Sequence, residues 1–160
     1  MTTAVYGIGN ILLGDDGIGP VVATHLADRY TFDDDVTVED LGTPSLDLPD
    51  YMIDHDLVVF IDAIASDAAP GTLRVFSREE LVAAPPGIRI SPHEPSVNDA
   101  LAVLDFAGRT PADVVLVGVV PQTLEGGVQL SAPVAGAVSR AAEAVVAELA
   151  KRGRTVTMKC

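Results

Sequence analysis

Three stretches of the chain carry apolar residues at consecutive positions rather than at alternate ones. They are residues 4–6, 57–63 and 114–120. Continuous apolar runs are typical of parallel strands that are covered on both faces of a sheet. We therefore predict three buried strands, with the second of them at the centre of the sheet. Shorter strands are predicted at 36–40 and, as an edge strand, at 72–76.

Between these strands the apolar positions recur at helical spacing, as in Val97, Leu101 and Leu104, with Ser96 as a candidate N-cap. Helices are predicted over about 17–30, 45–52, 96–106 and 132–152. Strands that alternate with helices fold into an α/β sandwich. The sequence therefore predicts one α/β domain over residues 1–160, in which helices flank both faces of a mostly parallel, twisted sheet.

A glycine-rich stretch from Gly7 to Pro20 joins the first strand to the first helix. In a parallel α/β fold, this corner lies at the carboxyl edge of the sheet, where ligands bind. The stretch has Leu12 where the dinucleotide fingerprint needs its third glycine, and Asp15 and Asp16 where the P-loop needs Lys and Ser/Thr. Two carboxylates repel a phosphate and attract a cation, so the loop favours a metal or a positively charged group.

Composition narrows the class of protein. The chain has 160 residues, 48% of them hydrophobic, which suffices for one buried core. The net charge of −13 argues against nucleic acid and anionic membrane surfaces as partners. No apolar run approaches a membrane span. The one cysteine, Cys160, excludes an internal disulfide framework. We therefore expect a cytoplasmic protein, and a monomer is favoured.

Three side chains of ligand type converge on the carboxyl edge in this prediction. Asp16 lies in the opening loop, Asp62 ends the central strand, and His93 lies in the irregular stretch 83–95. Two other histidines are too far away to join them. His25 is about 13 Å along the first helix from Asp16, and His55 is about 20 Å along the strand from Asp62. We predict that Asp16, Asp62 and His93 bind a borderline or hard divalent cation and leave coordination positions open.

Each of these residues also has a structural interpretation. Asp16 could cap the first helix, Asp62 could have a capping or turn role, and His93 could be a solvated loop residue. The neighbouring acids Asp15, Asp40 and Glu94 could support the ligands or accept protons; the alternative is that each is a surface charge.

The motifs resemble those of a known family, the hydrogenase maturation endopeptidases, which trim the C-terminal extension from the large-subunit precursor of nickel–iron hydrogenases. The match covers nearly the whole chain, and its first block is specific. The blocks are Gly7-x-Gly9-Asn10-x-Leu12-x-x-Asp15-Asp16-Gly17-x-Gly19, Asp40-x-Gly42-Thr43, Ile61-Asp62-Ala63, Ser91-Pro92-His93 and Val117-Gly118-Val119-Val120-Pro121-Gln122.

The resemblance implies a phosphorylase/peptidyl-hydrolase-like fold and a nickel-dependent, aspartyl-type endopeptidase. It implies that Asp16, Asp62 and His93 bind nickel that the precursor already carries, and that Asp16 or Asp62 assists proton transfer. Two departures from the family pattern concern the shape of the cleft. Many relatives have Glu where this chain has Asp16, and Gly42 stands where a double glycine is common.

Three other functions remain open at this point. One is a maturation factor that binds nickel or the precursor without cleaving it. The second is a nucleotide-binding α/β enzyme with Asp40 as the ribose anchor, which the missing third glycine and the acidic pair disfavour. The third is a relative that cleaves some other protein in an acidic cleft of this type.

Overall fold

A five-stranded sheet forms the centre of the protein. The computed structural model describes residues 1–84 and 96–160. Four adjacent strands run parallel, and the edge strand β5 pairs antiparallel with β6, in the order β3-β1-β4-β6-β5. A separate antiparallel ribbon pairs β2 with β7. The strands are β1 (Thr3–Ile8), β2 (Tyr30–Phe32), β3 (Val36–Gly42), β4 (Leu57–Ala63), β5 (Leu73–Phe76), β6 (Asp113–Val119) and β7 (Val156–Met158).

Helices cover both faces of this sheet. Those in the described residues are α1 (Ile18–Arg29), α2 (Leu48–Met52), α3 (Arg78–Val82), α4 (Val97–Ala107), α5 (Ala132–Ala135) and α6 (Val138–Lys151). Short 3-10 turns precede α1 at Gly14–Gly17 and α2 at Ser45–Asp47. Within the ranges 1–84 and 96–160, no helix is long and apolar enough to cross a membrane.

Two hydrophobic cores lie on opposite faces of the sheet. Alternate residues of β4 point to each face: Val59 and Ile61 pack with α1 and α6, whereas Val58 and Phe60 pack with α2, α3 and α4. Every residue of β4 is buried, as the continuous apolar run requires. The predicted three-layer α/β arrangement with a mostly parallel sheet is confirmed.

The region where α1 meets the sheet depends on two glycines. A Cβ atom on Gly19 would lie 2.2 Å from the carbonyl oxygen of Ile8 and 2.3 Å from that of Ile61. A Cβ on Gly7 would lie 2.3 Å from the carbonyl oxygen of Gly19. Only hydrogen fits at these positions, so the first turn of α1 rests directly on the carboxyl ends of β1 and β4.

The structure adds elements that the sequence patterns did not predict. The ribbon β2–β7 and helix α3 are new, and the predicted helix over 132–152 is two helices. The interruption falls at Gly136 and Ala137, where glycine lowers the helix propensity. The strand predicted at 72–76 is the edge strand that was expected.

Candidate functional site

Two of the three predicted ligands lie at the carboxyl edge of β1 and β4. These strands are adjacent and parallel, with Gly7 opposite Ile61. Asp62 is the next residue of β4, and Asp16 lies in the 3-10 turn after β1, which packs against β4. Their exposed fractions are 0% for Asp62 and 2% for Asp16. The structure therefore brings two buried carboxylates to the same edge of the sheet.

The side chain of Asp16 turns back toward the start of its own loop. Its Oδ2 accepts a hydrogen bond of 2.7 Å from the backbone N–H of Asn10. The N-cap residue of α1 is Gly17, so Asp16 does not occupy the capping position, and that alternative interpretation is wrong. The loop closes tightly because Gly9, with φ +146°, lies where a Cβ would be 1.9 Å from the carbonyl oxygen of Asp16.

Asp62 is part of the strand rather than of a turn. It pairs in register with Gly118 of β6, and its Oδ1 accepts a 2.8 Å hydrogen bond from the N–H of Ala63. A Cβ on Gly118 would lie 2.4 Å from the side chain of Ile64, so Ile64 packs over that glycine. Asp62 is thus a polar residue on the strand face that otherwise packs against α2, α3 and α4.

Asp15 was expected to be either a supporting residue or a surface charge, and the surface interpretation is wrong. Its exposed fraction is 0%. Burial by itself raises the pKa of this carboxyl, but hydrogen bonds from Ser131, Thr123 and Gln122 outweigh it, and the net pKa is below the ordinary value of 3.8. Asp15 is therefore held as an anion among neutral donors.

Local sequence could not reveal this role of Asp15. Its partners are 107 to 116 residues away along the chain. The only sequence signal is its position in the glycine-rich block, which does not distinguish a buried acid from an exposed one.

Asp40 lies beside the same edge but is exposed to solvent. Its Oδ1 accepts a 2.8 Å hydrogen bond from the N–H of Gly42, which holds the turn after β3.

Two clefts open near the carboxyl edge. One of about 230 Å³ lies beside Asp40 and is lined by Gly9, Asn10, Ile11, Asp40, Gly42 and Thr43. A second cleft of about 520 Å³ lies beyond β4 and β6, lined by Ile64, Ala65, Ser66, Asp67 and Pro121.

The predicted third ligand, His93, and its neighbour Glu94 lie outside the described residues. The described chain resumes at Ser96, the N-cap of α4. Because α4 leads into β6, which is parallel to β4, the N-terminus of α4 points toward the carboxyl edge. The three-ligand site stays a prediction. Within 1–84 and 96–160, no group of three or more His, Cys, Asp or Glu side chains is arranged to hold a metal.

The elimination of His55 as a ligand agrees with its contacts. Its Nε2 lies 3.1 Å from the hydroxyl of Tyr6, and the two rings meet edge to face, with 6.0 Å between their centroids. This pair lies near the amino end of β4, because His55 directly precedes that strand. His55 therefore has a structural role.

The donor set at the carboxyl edge suits a hard or borderline divalent cation. Carboxylate oxygens are the ligands that such ions prefer, and imidazole extends the set to nickel, zinc and cobalt. Asp16 and Asp62 supply two carboxylates on rigid elements. Two carboxylates are part of the donor set of such a site.

Comparison with known proteins identifies the family. The family model described as HycI, hydrogenase maturation protease, matches residues 20–148. The hydrogenase 2 maturation protease of Escherichia coli (strain K12) is 38% identical over 96% of this chain and 93% of its own length. The hydrogenase expression/formation protein HupD of Rhizobium leguminosarum bv. viciae is 35% identical over 97% of this chain and 77% of its own length.

Solved structures show the same fold. The hydrogenase maturating endopeptidase HybD from E. coli superposes with a TM-score of 0.89 at 34% identity, over 99% of this chain and 98% of that one. The [NiFe] hydrogenase maturation protease HybD from Thermococcus kodakarensis gives a TM-score of 0.73 at 28% identity, over 91% and 97% of the two chains.

Proposed function

This chain belongs to the hydrogenase maturation protease family, and from that premise we propose that it removes the C-terminal extension of a nickel–iron hydrogenase large-subunit precursor after nickel insertion. The hydrolysis takes place at the carboxyl edge of β1 and β4, in the cytoplasm. The substrate is the precursor polypeptide with its bound nickel, so the metal arrives as part of the substrate.

The observation that carries this proposal is the pair of buried carboxylates at one edge of the sheet. Burying an acid is unfavourable unless it gains hydrogen bonds or a cation. Asp16 and Asp62 are both almost completely buried, and each accepts a backbone hydrogen bond. The cation proposed here is the nickel of the precursor, bound by Asp16, Asp62 and His93. The precursor would dock when these three side chains occupy the open coordination positions of the nickel that it carries.

The chain's own residues have two tasks in this mechanism. Asp16, Asp62 and His93 bind and orient the precursor, which places the scissile bond at the carboxyl edge. Nickel held by these residues would supply a Lewis acid to polarise the scissile carbonyl or a bound water. Asp16 or Asp62 then accepts a proton from the attacking water, and the proton passes to the leaving amine as the peptide bond breaks.

The test is incubation of the protein with nickel-loaded and nickel-free precursor, followed by mass measurement of the large subunit. The wild type should shorten only the nickel-loaded precursor. Asp16→Asn, Asp62→Asn and His93→Ala should each remain folded and reduce trimming by at least about 100-fold, because each removes a ligand or a proton acceptor.

Asp34→Asn is a matched control, since Asp34 is an exposed acid before β3, at the opposite edge of the sheet. It should trim at the wild-type rate. Normal trimming by the three site variants would contradict the assignment of those residues. Binding of nickel-loaded precursor by the wild type without release of a peptide would instead favour the non-cleaving maturation factor.

A further inference from the structure

The carboxylate of Asp15 joins two loops that are distant in sequence. We name the segment 122–131, which follows β6, the crossing loop. Asp15 Oδ2 accepts hydrogen bonds from the N–H groups of Gln122 (2.8 Å) and Thr123 (3.1 Å) and from the hydroxyl of Ser131 (2.8 Å). Asp15 Oδ1 accepts one from the N–H of Ser131 (2.7 Å). Both ends of the crossing loop are thus held by one side chain.

Backbone hydrogen bonds run between the same two segments. The N–H of Gly14 donates to the carbonyl of Gly127 at 2.8 Å, and the N–H of Gly127 donates to that of Leu12 at 3.0 Å. The N–H of Asp15 donates to the carbonyl of Thr123 at 3.0 Å. A Cβ on Gly14 would lie 2.8 Å from the carbonyl oxygen of Glu125. The crossing loop therefore packs directly against the turn that contains Asp15 and Asp16.

The two consecutive aspartates are anchored in different directions. Asp15 binds the crossing loop, whereas Asp16 accepts a hydrogen bond from Asn10 at the start of the glycine-rich loop. Both lie in one 3-10 turn of four residues. Because their Cα atoms are only about 3.8 Å apart, the position of Asp15 sets the position and direction of Asp16.

We propose that Asp15 is a positioning residue of the protease, which holds the carboxylate of Asp16 in its place at the carboxyl edge of the sheet by fixing the turn to the crossing loop. The proposal rests on the proposed function, because it takes Asp16 and Asp62 as the residues that bind the substrate. Asp15 itself does not touch the substrate. Its four hydrogen bonds are used within the protein.

The most direct variant is Asp15→Asn. An amide of the same shape keeps one acceptor oxygen but turns an N–H toward donors of the crossing loop, so at least one hydrogen bond becomes a donor–donor contact. A displacement of about 1 Å at a reacting group can reduce the rate by about 100-fold. We expect the kcat for trimming nickel-loaded precursor to fall about 10–100-fold, with a smaller change in KM.

A second measurement reports Asp16 without any substrate. The amide N–H of Asn10 donates to Asp16 Oδ2, so its ¹H–¹⁵N resonance and its protection from hydrogen exchange depend on where that carboxylate lies. In Asp15→Asn the resonance should shift and the protection should fall. The control is Glu148→Gln, which changes a buried carboxylate in α6. In this variant the Asn10 resonance, its protection from exchange and kcat should all stay as in the wild type.

Ser131→Ala tests the same contact from the other side and serves if Asp15→Asn does not fold. The change removes the hydroxyl that donates to Asp15 Oδ2, keeps the backbone N–H that donates to Oδ1, and leaves Asp15 in place. It should lower kcat and move the Asn10 resonance in the same direction as Asp15→Asn, by a smaller amount.

A folded Asp15→Asn or Ser131→Ala with wild-type kcat and an unchanged Asn10 amide would overturn the positioning role. Loss of stability without these two changes would also overturn it, since that is the behaviour of a purely structural contact. If the wild type fails to trim any precursor, the proposed function fails, but the Asn10 measurement still decides whether Asp15 orients Asp16.

Discussion

At the scale of single residues, several buried polar side chains of the described residues contact specific partners. Tyr6 is an example: it is 4% exposed, and its hydroxyl lies 3.1 Å from His55 Nε2. The pKa of Tyr6 is raised from 10.0 to about 12, mainly by burial and also by the charges of Glu39 and Tyr51. The phenol is therefore kept neutral by the fold.

This pKa makes the stability of the protein dependent on alkaline pH. Because the pKa of Tyr6 is raised in the folded state, its contribution to the free energy of unfolding is fully present below pH 10.0. That contribution is lost as the pH rises toward about 12. A shift of this size corresponds to roughly 2–3 kcal/mol in the free energy of unfolding. Urea unfolding across this interval should show the loss in the wild type.

The matched variants for this measurement are Tyr6→Phe and Tyr30→Phe. Tyr6→Phe should be less stable at neutral pH by about 1 kcal/mol, because His55 loses its partner. Its free energy of unfolding should, however, fall less than that of the wild type as the solution becomes alkaline. Tyr30→Phe should retain the wild-type loss. If the difference spectrum between the wild type and Tyr6→Phe showed a phenol ionising near pH 10, the burial argument would be wrong.

At the scale of elements, the contact of α1 with the sheet decides where the opening loop lies. Gly19 is in the first turn of α1 and contacts the backbone carbonyls of Ile8 and Ile61. Moving α1 outward by the width of a methyl group would also move the turn that contains Asp16. The closeness of this contact is therefore part of the geometry of the candidate site.

Gly19→Ala separates helix propensity from packing. In an exposed helix this change would stabilise by up to about 1 kcal/mol. Here the added Cβ meets backbone atoms at 2.2 Å and 2.3 Å, which cannot rotate away, so we expect a net destabilisation of at least about 2 kcal/mol. Urea denaturation measures this change in the free energy of unfolding.

The control is Gly126→Ala, where a Cβ meets nothing within 4 Å. Its effect on the free energy of unfolding should stay within about 0.5 kcal/mol. Equal stabilities for the two variants would contradict this account of packing.

The elements that the sequence predicted are those whose burial follows their own pattern. Buried parallel strands such as β4 carry a continuous apolar run, and α4 begins at its predicted N-cap, Ser96. The ribbon of β2 and β7 could not be predicted in this way. Each of its strands has three residues, none of them buried, and they pair across more than 120 positions of the chain.

The same distinction applies to the candidate site. The edge that holds Asp16 and Asp62 followed from the order of strands and loops, because the carboxyl ends of parallel strands meet. The burial of Asp15 did not follow, since its partners lie in the crossing loop. His93 lies outside the described residues, and its place in the site stays a prediction.

At the scale of the whole molecule, the two edges of the sheet hold their buried acids differently. At the carboxyl edge, Asp15 is bound by neutral donors. At the amino edge, Glu148 is bound by cations: its oxygens lie 2.8 Å from Lys151 Nζ and 2.7 Å from Arg152. Arg152 also pairs with Asp113, the first residue of β6, at 2.5 Å. The end of α6 is thus tied to the sheet far from the candidate site.

Glu148→Gln should therefore reduce stability without reducing trimming. The ion pairs of Glu148 with Lys151 and Arg152 are partly buried. An exposed ion pair contributes about 0–1 kcal/mol, and breaking a fully buried one costs about 3–5 kcal/mol. We therefore expect the free energy of unfolding to fall by about 1–2 kcal/mol at neutral pH. Burial raises the pKa of Glu148, but Lys151 and Arg152 outweigh it and lower the pKa below 4.5. The contribution is then present above pH 4.5 and is lost as the pH falls below it.

Urea unfolding at neutral and at acid pH checks this, because the gap between the wild type and Glu148→Gln should narrow as the solution becomes acidic. Trimming of nickel-loaded precursor at neutral pH should be equal for the two proteins, since Glu148 lies at the edge of the sheet opposite to Asp16 and Asp62. A constant gap at all pH values would show that the carboxylate charge is not what stabilises α6. A parallel loss of trimming would show that the two edges are coupled, which the separation of their charged contacts argues against.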